Sequence, residues 1–198
     1  MRIIGGRSKG RVLASPKGQA IRPTSDRVKE SLFNILNILQ DKMGGKIVLD
    51  LFAGTGNLGI EALSRGAKKV IFVEKERQAL GLIQRNLVQF GLEERSEILP
   101  RDVSRAIGIL NQRGERFDLI LMDPPYEKGL IRKTLLELNS HKIHHKDSIL
   151  VIEHNRREPL PQNLEGWNLI RQRRMGDTVI SFMTPQEEHG STQVGMTF

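Results

Sequence analysis

The chain of 198 residues contains no cysteine. Disulfides, thiolate metal sites and every mechanism with a cysteine nucleophile are therefore excluded, including base methylation through a thiolate adduct and the cysteine-ligated zinc deaminases. Aromatic residues are few, with one Tyr and one Trp, so extensive binding of single strands by stacking on aromatic platforms is excluded as well. No apolar run approaches the length of a membrane span, and Met1-Arg2-Ile3-Ile4-Gly5-Gly6 holds no apolar signal core. A cytoplasmic protein without membrane contact is the expectation. His141 and His145 are four apart and would face one metal if they lay on a helix, but Lys142 and Lys146 beside them repel a cation. No metal site is expected; that stretch reads as a solvated or RNA-facing basic patch.

What is present is an ordinary globular mixture, 38% hydrophobic and 27% charged, enough for one catalytic domain with small additions. The formal charge of +8 is unevenly placed. Residues 1 to 29 carry eight basic side chains (Arg2, Arg7, Lys9, Arg11, Lys17, Arg22, Arg27 and Lys29) against Asp26 alone, while the other 169 residues hold 23 basic and 22 acidic ones. A basic excess confined to one segment suggests an arm that binds a polyanion, because each neutralised phosphate releases counterions.

The order of apolar patterns predicts the fold. Ile3-Ile4 and Val12-Leu13, separated by Gly and basic residues, suit a small hairpin or extended arm. Val28, Leu32, Ile35, Leu36 and Leu39 fall at helical spacing behind Thr24 or Ser25 as cap. Short apolar runs at 47–51, 70–74, 97–99, 117–122 and 148–153 then alternate with helical patterns near 58–64, 77–90, 103–111 and 130–138. That rhythm predicts an α/β fold, a parallel sheet covered on both faces, with ligands beyond the carboxyl ends of the strands. Residues 167–174 and 177–183 read as a terminal hairpin. The expected division is a basic arm and helix over 1–45, a catalytic domain over 46–184, and a disordered tail over 185–198.

The first strand of that sheet runs into Asp50-Leu51-Phe52-Ala53-Gly54-Thr55-Gly56-Asn57-Leu58-Gly59, and Glu74 closes the second. Glycines let the backbone turn sharply beside a ligand, and a carboxylate at Glu74 can accept both hydroxyls of a ribose. The bare glycine pattern also fits dinucleotide enzymes. Asp50 separates the two readings, because a carboxylate there repels pyrophosphate and attracts the ammonium and sulfonium of S-adenosylmethionine. Phe52, Ala53, Gly54, Thr55 and Gly56 form the expected cofactor loop, with Lys75 beside Glu74. Asp102, followed by Val103, is placed to accept from the adenine amine or to cap the next helix.

The fourth strand ends in Asp123-Pro124-Pro125-Tyr126. Two prolines stop a central strand and leave neighbouring carbonyls without backbone donors. An exocyclic base amine is a poor nucleophile because its lone pair is delocalised into the ring. If Asp123 and the Pro124 carbonyl each accept one N–H, the lone pair turns toward a methyl donor. Asp123 can also take the proton, and Tyr126 can stack on the base.

The cofactor loop, Glu74, Asp102 and Asp123-Pro124-Pro125-Tyr126 together resemble the class I methyltransferases of exocyclic amines. Arg2-Ile3-Ile4-Gly5-Gly6, Arg22-Pro23-Thr24, the stretch from Asp26 to Asn34 and that from Gly59 to Gly66 narrow the resemblance to the RsmD type. This resemblance implies a Rossmann-like, seven-stranded, mostly parallel sheet with a reversed terminal strand, and S-adenosylmethionine as cofactor. It also implies a guanine N2 of 16S ribosomal RNA in the assembling small subunit as substrate, guanine 966 in the usual rRNA numbering. The chain is expected to act as a monomer. Arg22, Thr24 and Arg27 become candidates for cofactor or RNA contact, and Arg2, Arg7, Lys9 and Arg11 for RNA contact. Asn57, where many members have a small residue, suits a helix cap. Other readings keep the platform but change the acceptor to adenine N6, cytosine N4 or a protein glutamine amide. Readings of another class are an RNA-binding assembly factor and an NAD-dependent oxidoreductase.

Overall fold

The computed structural model describes residues 1–15, 25–40, 43–125, 129–164 and 166–186. Arg22, Thr24, Tyr126 and nearly all of the expected tail lie outside the described residues.

Helix α1 (Asp26–Leu39) starts at Ser25, whose hydroxyl accepts from the Val28 N–H at 3.2 Å, while Asp26 stands at its positive end. Strand β1 (Ile47–Leu51) leads through the glycine loop into α2 (Asn57–Ser64). Then follow β2 (Lys69–Glu74), α3 (Arg77–Phe90), a short 3₁₀ turn, β3 (Ser96–Pro100), α4 (Val103–Gln112), β4 (Phe117–Met122) and α5 (Leu130–Ser140). The chain closes with β5 (His144–Asn155), β6 (Trp167–Met175) and β7 (Thr178–Pro185). Their order in the sheet is β3-β2-β1-β4-β5-β7-β6, with β7 the reversed strand, inserted between β5 and β6.

Each central strand is apolar on both faces because each face is covered. Val48, Phe72, Leu119, Val151 and Phe182 pack with residues of α1, α2 and α3 such as Leu36, Ile60 and Leu87. Leu49, Ile71, Ile120 and Leu150 pack on the opposite face with Ile107 and Leu110 of α4 and Leu135 and Leu138 of α5. Trp167 is buried in that second core and offers no surface to a nucleic acid.

The first segment does form a hairpin-like loop, closed by the Arg2–Val12 bridge and by a hydrogen bond from the Ile3 N–H to the Arg11 carbonyl at 2.9 Å. It is less free than its charge suggests. Ile3 and Leu13 are buried, and Ser64 receives the Ser8 N–H at 3.0 Å. Asn86 of α3 grips Ala14 from both sides, accepting its N–H at 2.7 Å and donating to its carbonyl at 3.2 Å. The basic set is also partly spent inside the fold. Lys29 is fully buried, Arg2 pairs with Asp26 at 3.1 Å, and Arg11 lies over the Phe90 ring at 4.3 Å. Arg7, Lys9 and Arg27 are exposed.

The stretch read as a basic patch spans the end of α5 and the start of β5: His141 follows the helix and His145 lies in the strand. No group of three or more metal-ligating side chains occurs among the described residues. Strand β5 begins earlier than its apolar run: His144 pairs with Phe117, and an irregularity over the next four residues separates that pair from Ile149 opposite Leu119.

Candidate active site

Strand β1 lies between β2 and β4, so the crevice at its carboxyl end is the point where the order of the sheet reverses. In register, Leu51 stands between Val73 and Met122, which brings the loop after β1, the end of β2 and Asp123 to one place.

The loop is made by an unusual backbone. Phe52 adopts a left-handed φ of 59°, sparsely populated for a residue with a side chain, and Gly54 and Gly56 follow at 55° and 78°. The turn is tied down by the Ala53 N–H to the Val73 carbonyl at 3.0 Å and the Gly56 N–H to the Ala53 carbonyl at 2.8 Å. Glu74 reaches across from β2. One of its oxygens accepts the Gly54 N–H at 2.9 Å, and the other accepts the N–H groups of Lys75 at 2.7 Å and Glu76 at 2.9 Å. Its carboxylate therefore shapes the loop in addition to any role toward a ribose. Lys75 itself is exposed.

Asp50 is 2% exposed and accepts the Gly59 N–H through Oδ2 at 2.9 Å. Gly59 is required there: a methyl group would lie about 2.9 Å from that oxygen and from Phe72 Cζ. Burial, with the Asp123 and Glu74 charges adding to it and the Gly59 hydrogen bond opposing it, pushes the Asp50 carboxyl up to about 8. Asp123 and Glu74 thus lie near enough to Asp50 for their charges to act on it, and the three acidic side chains share the crevice. Asp123 is half-buried at the end of β4, Pro124 is buried and Pro125 exposed. Asp102 caps α4, accepting the Arg105 N–H at 3.1 Å, with Val103 half-buried behind it. The cap leaves its second oxygen facing Arg105 at 3.5 Å.

A further layer escapes a reading by motif. Lys29 and Glu61 are both 0% exposed, their charges 3.4 Å apart. The Lys29 ammonium donates to the Arg2 carbonyl at 2.6 Å and to Asn57 Oδ1 at 2.8 Å, and burial draws its proton affinity down against the pull of Glu61. Glu61 also accepts from Arg65 Nε at 2.8 Å and from the Ile4 N–H at 2.9 Å. Gly56, not Asn57, is the N-cap of α2; Asn57 is a buried acceptor joining α1 to the end of the cofactor loop. Asn86 Nδ2 donates to the Thr55 carbonyl at 3.1 Å, so the residue that holds the N-terminal loop also holds the cofactor loop. One signal for Lys29 existed, since it shares the buried face of α1 with Leu32, Phe33 and Leu36.

Comparison with known proteins follows the same lines. A family model described as Conserved hypothetical protein 95 matches residues 1–184. The Bacillus subtilis protein YlbH is 37% identical over 196 residues, 99% of this chain and 97% of that one. The Ribosomal RNA small subunit methyltransferase D of Escherichia coli K12 is 33% identical over 177 residues, 89% of this chain and 85% of its own. Among solved structures, yhhF from Escherichia coli superposes with a TM-score of 0.80 at 28% identity, covering 94% of this chain and 98% of that one. The fold is that of the class I methyltransferases. The chain belongs to the Conserved hypothetical protein 95 family, the RsmD-type methyltransferases.

Proposed function

We propose that this protein methylates the exocyclic N2 of a guanine in the ribosomal RNA of the small subunit, with S-adenosylmethionine as donor. The observation that carries the reading is the meeting, on adjacent strands, of a buried acidic cofactor loop at Asp50 and Glu74 with Asp123-Pro124. Relatives from Escherichia coli and Haemophilus influenzae that bear the name Ribosomal RNA small subunit methyltransferase D support the RNA substrate.

The residues present fit a cationic donor, because Asp50, Glu74 and Asp123 raise the electrostatic demand for positive charge in one crevice. Asp50 and the loop from Phe52 to Gly56 would hold its methionyl part, Glu74 its ribose, and Asp102 with Val103 its adenine. When bound, it supplies an electrophilic methyl group on a sulfonium. Asp123 and the Pro124 carbonyl each accept one N–H of the guanine amine, which aims the nitrogen lone pair at that methyl. The donor would contribute transfer of that methyl with the electron pair retained by sulfur, while Asp123 and the Pro124 carbonyl hold the amine in line. The nitrogen, briefly cationic, gives its proton to Asp123 or through it to water.

The test is incubation with labelled S-adenosylmethionine and unmodified small subunits, followed by digestion of the RNA to nucleosides. Label in N2-methylguanosine is expected. Label in N6-methyladenosine or N4-methylcytidine would retain the platform chemistry and overturn the guanine assignment.

A further inference from the structure

Among the described residues, strand β6 is the last in the sheet and has β7 as its single neighbour. Every residue from Asn168 to Arg174 is exposed, so neither face of this strand is covered by a helix. A strand left open on both faces and along one edge invites pairing with other chains. Its composition is specific, with Arg171, Arg173 and Arg174 around the half-exposed Leu169 and Ile170.

The register places these side chains. Arg171 and Arg173 stand opposite Phe182 and Ile180, whose side chains belong to the core on the α1 face. They therefore extend that face of the sheet outward beyond its last covered strand. The carboxyl end of β6 lies level with the end of β5, since Met175 and Asn155 both pair with Thr178. Arg156 and Arg157 follow Asn155 immediately. Because β4 and β5 are parallel, that end is also the end at which Asp123 stands. Arg156 is neutralised by Asp177 at 2.7 Å, and Arg174 donates to the Gly176 carbonyl at 3.2 Å. Among the described residues, Arg157, Arg171 and Arg173 have no ion-pair partner.

We infer that the open strand β6, with Arg157 at its active-site end, is a second RNA-docking surface that grips phosphates next to the target nucleotide. This rests on the RNA reading above. Exposed guanidinium groups at alternate positions on one face of an extended strand suit a run of phosphates. The partial use of Arg2, Arg11 and Lys29 within the fold leaves the N-terminal loop fewer free cations than its sequence suggests, so an additional basic surface is needed for a large anionic substrate.

The experiment measures affinity for deproteinised, unmodified 16S rRNA across a salt series from roughly 50 to roughly 200 mM. The R171Q/R173Q protein is expected to show a slope of log affinity against log salt smaller by about 1.5, with Kd raised roughly tenfold at the upper end. R171K/R173K keeps the wild-type slope, and Arg157→Gln alone lowers it by about 0.8. S-adenosylmethionine binding by each variant reports an intact fold. A wild-type protein that binds the RNA while R171Q/R173Q shows the same slope overturns this inference and leaves the proposed activity standing. A wild-type protein without affinity for the RNA overturns the docking surface, while methylation of unmodified small subunits decides the proposed activity on its own. If R171Q/R173Q keeps the slope but self-associates in sedimentation, the arginines protect an edge and the docking surface is refuted.

Discussion

At the scale of single residues, Asp50 and Asp123 make different demands. Asp50 binds its proton more tightly in the folded chain than in the unfolded one, where it titrates near the ordinary aspartate value of 3.8. Between about pH 4 and about pH 8 the native state therefore holds more protons, and stability falls as pH rises through that window before levelling above it. Asp50→Asn keeps an acceptor for the Gly59 N–H and removes the buried charge. It should flatten this decline, measured as the difference from wild type in urea unfolding at a series of pH values, by on the order of a few kcal/mol at pH 8. The same variant should bind S-adenosylmethionine at least tenfold more weakly by calorimetry, because the carboxylate proposed to attract its cationic methionyl part is gone. Asp123→Ala should behave in the opposite sense, retaining cofactor affinity while single-turnover methylation falls by about 10² or more. Gly59→Ala should cost about 1 to 3 kcal/mol in unfolding free energy, since the added methyl crowds Asp50 and Phe72.

At the scale of elements, the buried Lys29–Glu61 pair joins α1 to α2. Lys29→Met leaves Glu61 with Arg65 and removes the donor to Asn57 and to the Arg2 carbonyl. A loss of about 3 kcal/mol in the urea midpoint analysis is expected, as for other buried pairs broken on one side. This link also explains what was and was not legible in the sequence. The strands at Ile47–Leu51 and Phe117–Met122 follow from short continuous apolar runs, because cover on both faces removes alternation, and the helix at Arg77–Phe90 follows from apolar spacing near four. Asp50, Glu74 and Asp123 follow from position at strand ends. The Lys29 network does not follow, because its partners lie 28 and 32 positions apart in sequence and only packing of α1 on α2 brings them together. Glu74 was read as a ribose acceptor alone, since no pattern tells which backbone N–H groups a carboxylate will bind. The left-handed Phe52 was likewise invisible, as residues with side chains carry no local mark of that conformation.

At the scale of the whole molecule, the cofactor loop, α1 and the N-terminal loop form one connected body through Asn57, Glu61 and Asn86. Binding in the crevice should therefore stabilise the entire cooperative unit and not the loop alone. Saturation with S-adenosylmethionine at about 100 times its Kd should add about 2.7 kcal/mol, raising Tm by several degrees in a scan with a single transition. The inserted position of β7 has a consequence for how the chain is made. As synthesis proceeds from the amino end, β6 emerges before the strand that must separate it from β5. Until Thr178–Pro185 has left the ribosome, β5 presents a bare apolar edge and β6 has nothing correct to pair with. A nascent chain paused in this interval is exposed to a parallel mispairing of β5 with β6 until the last strand arrives.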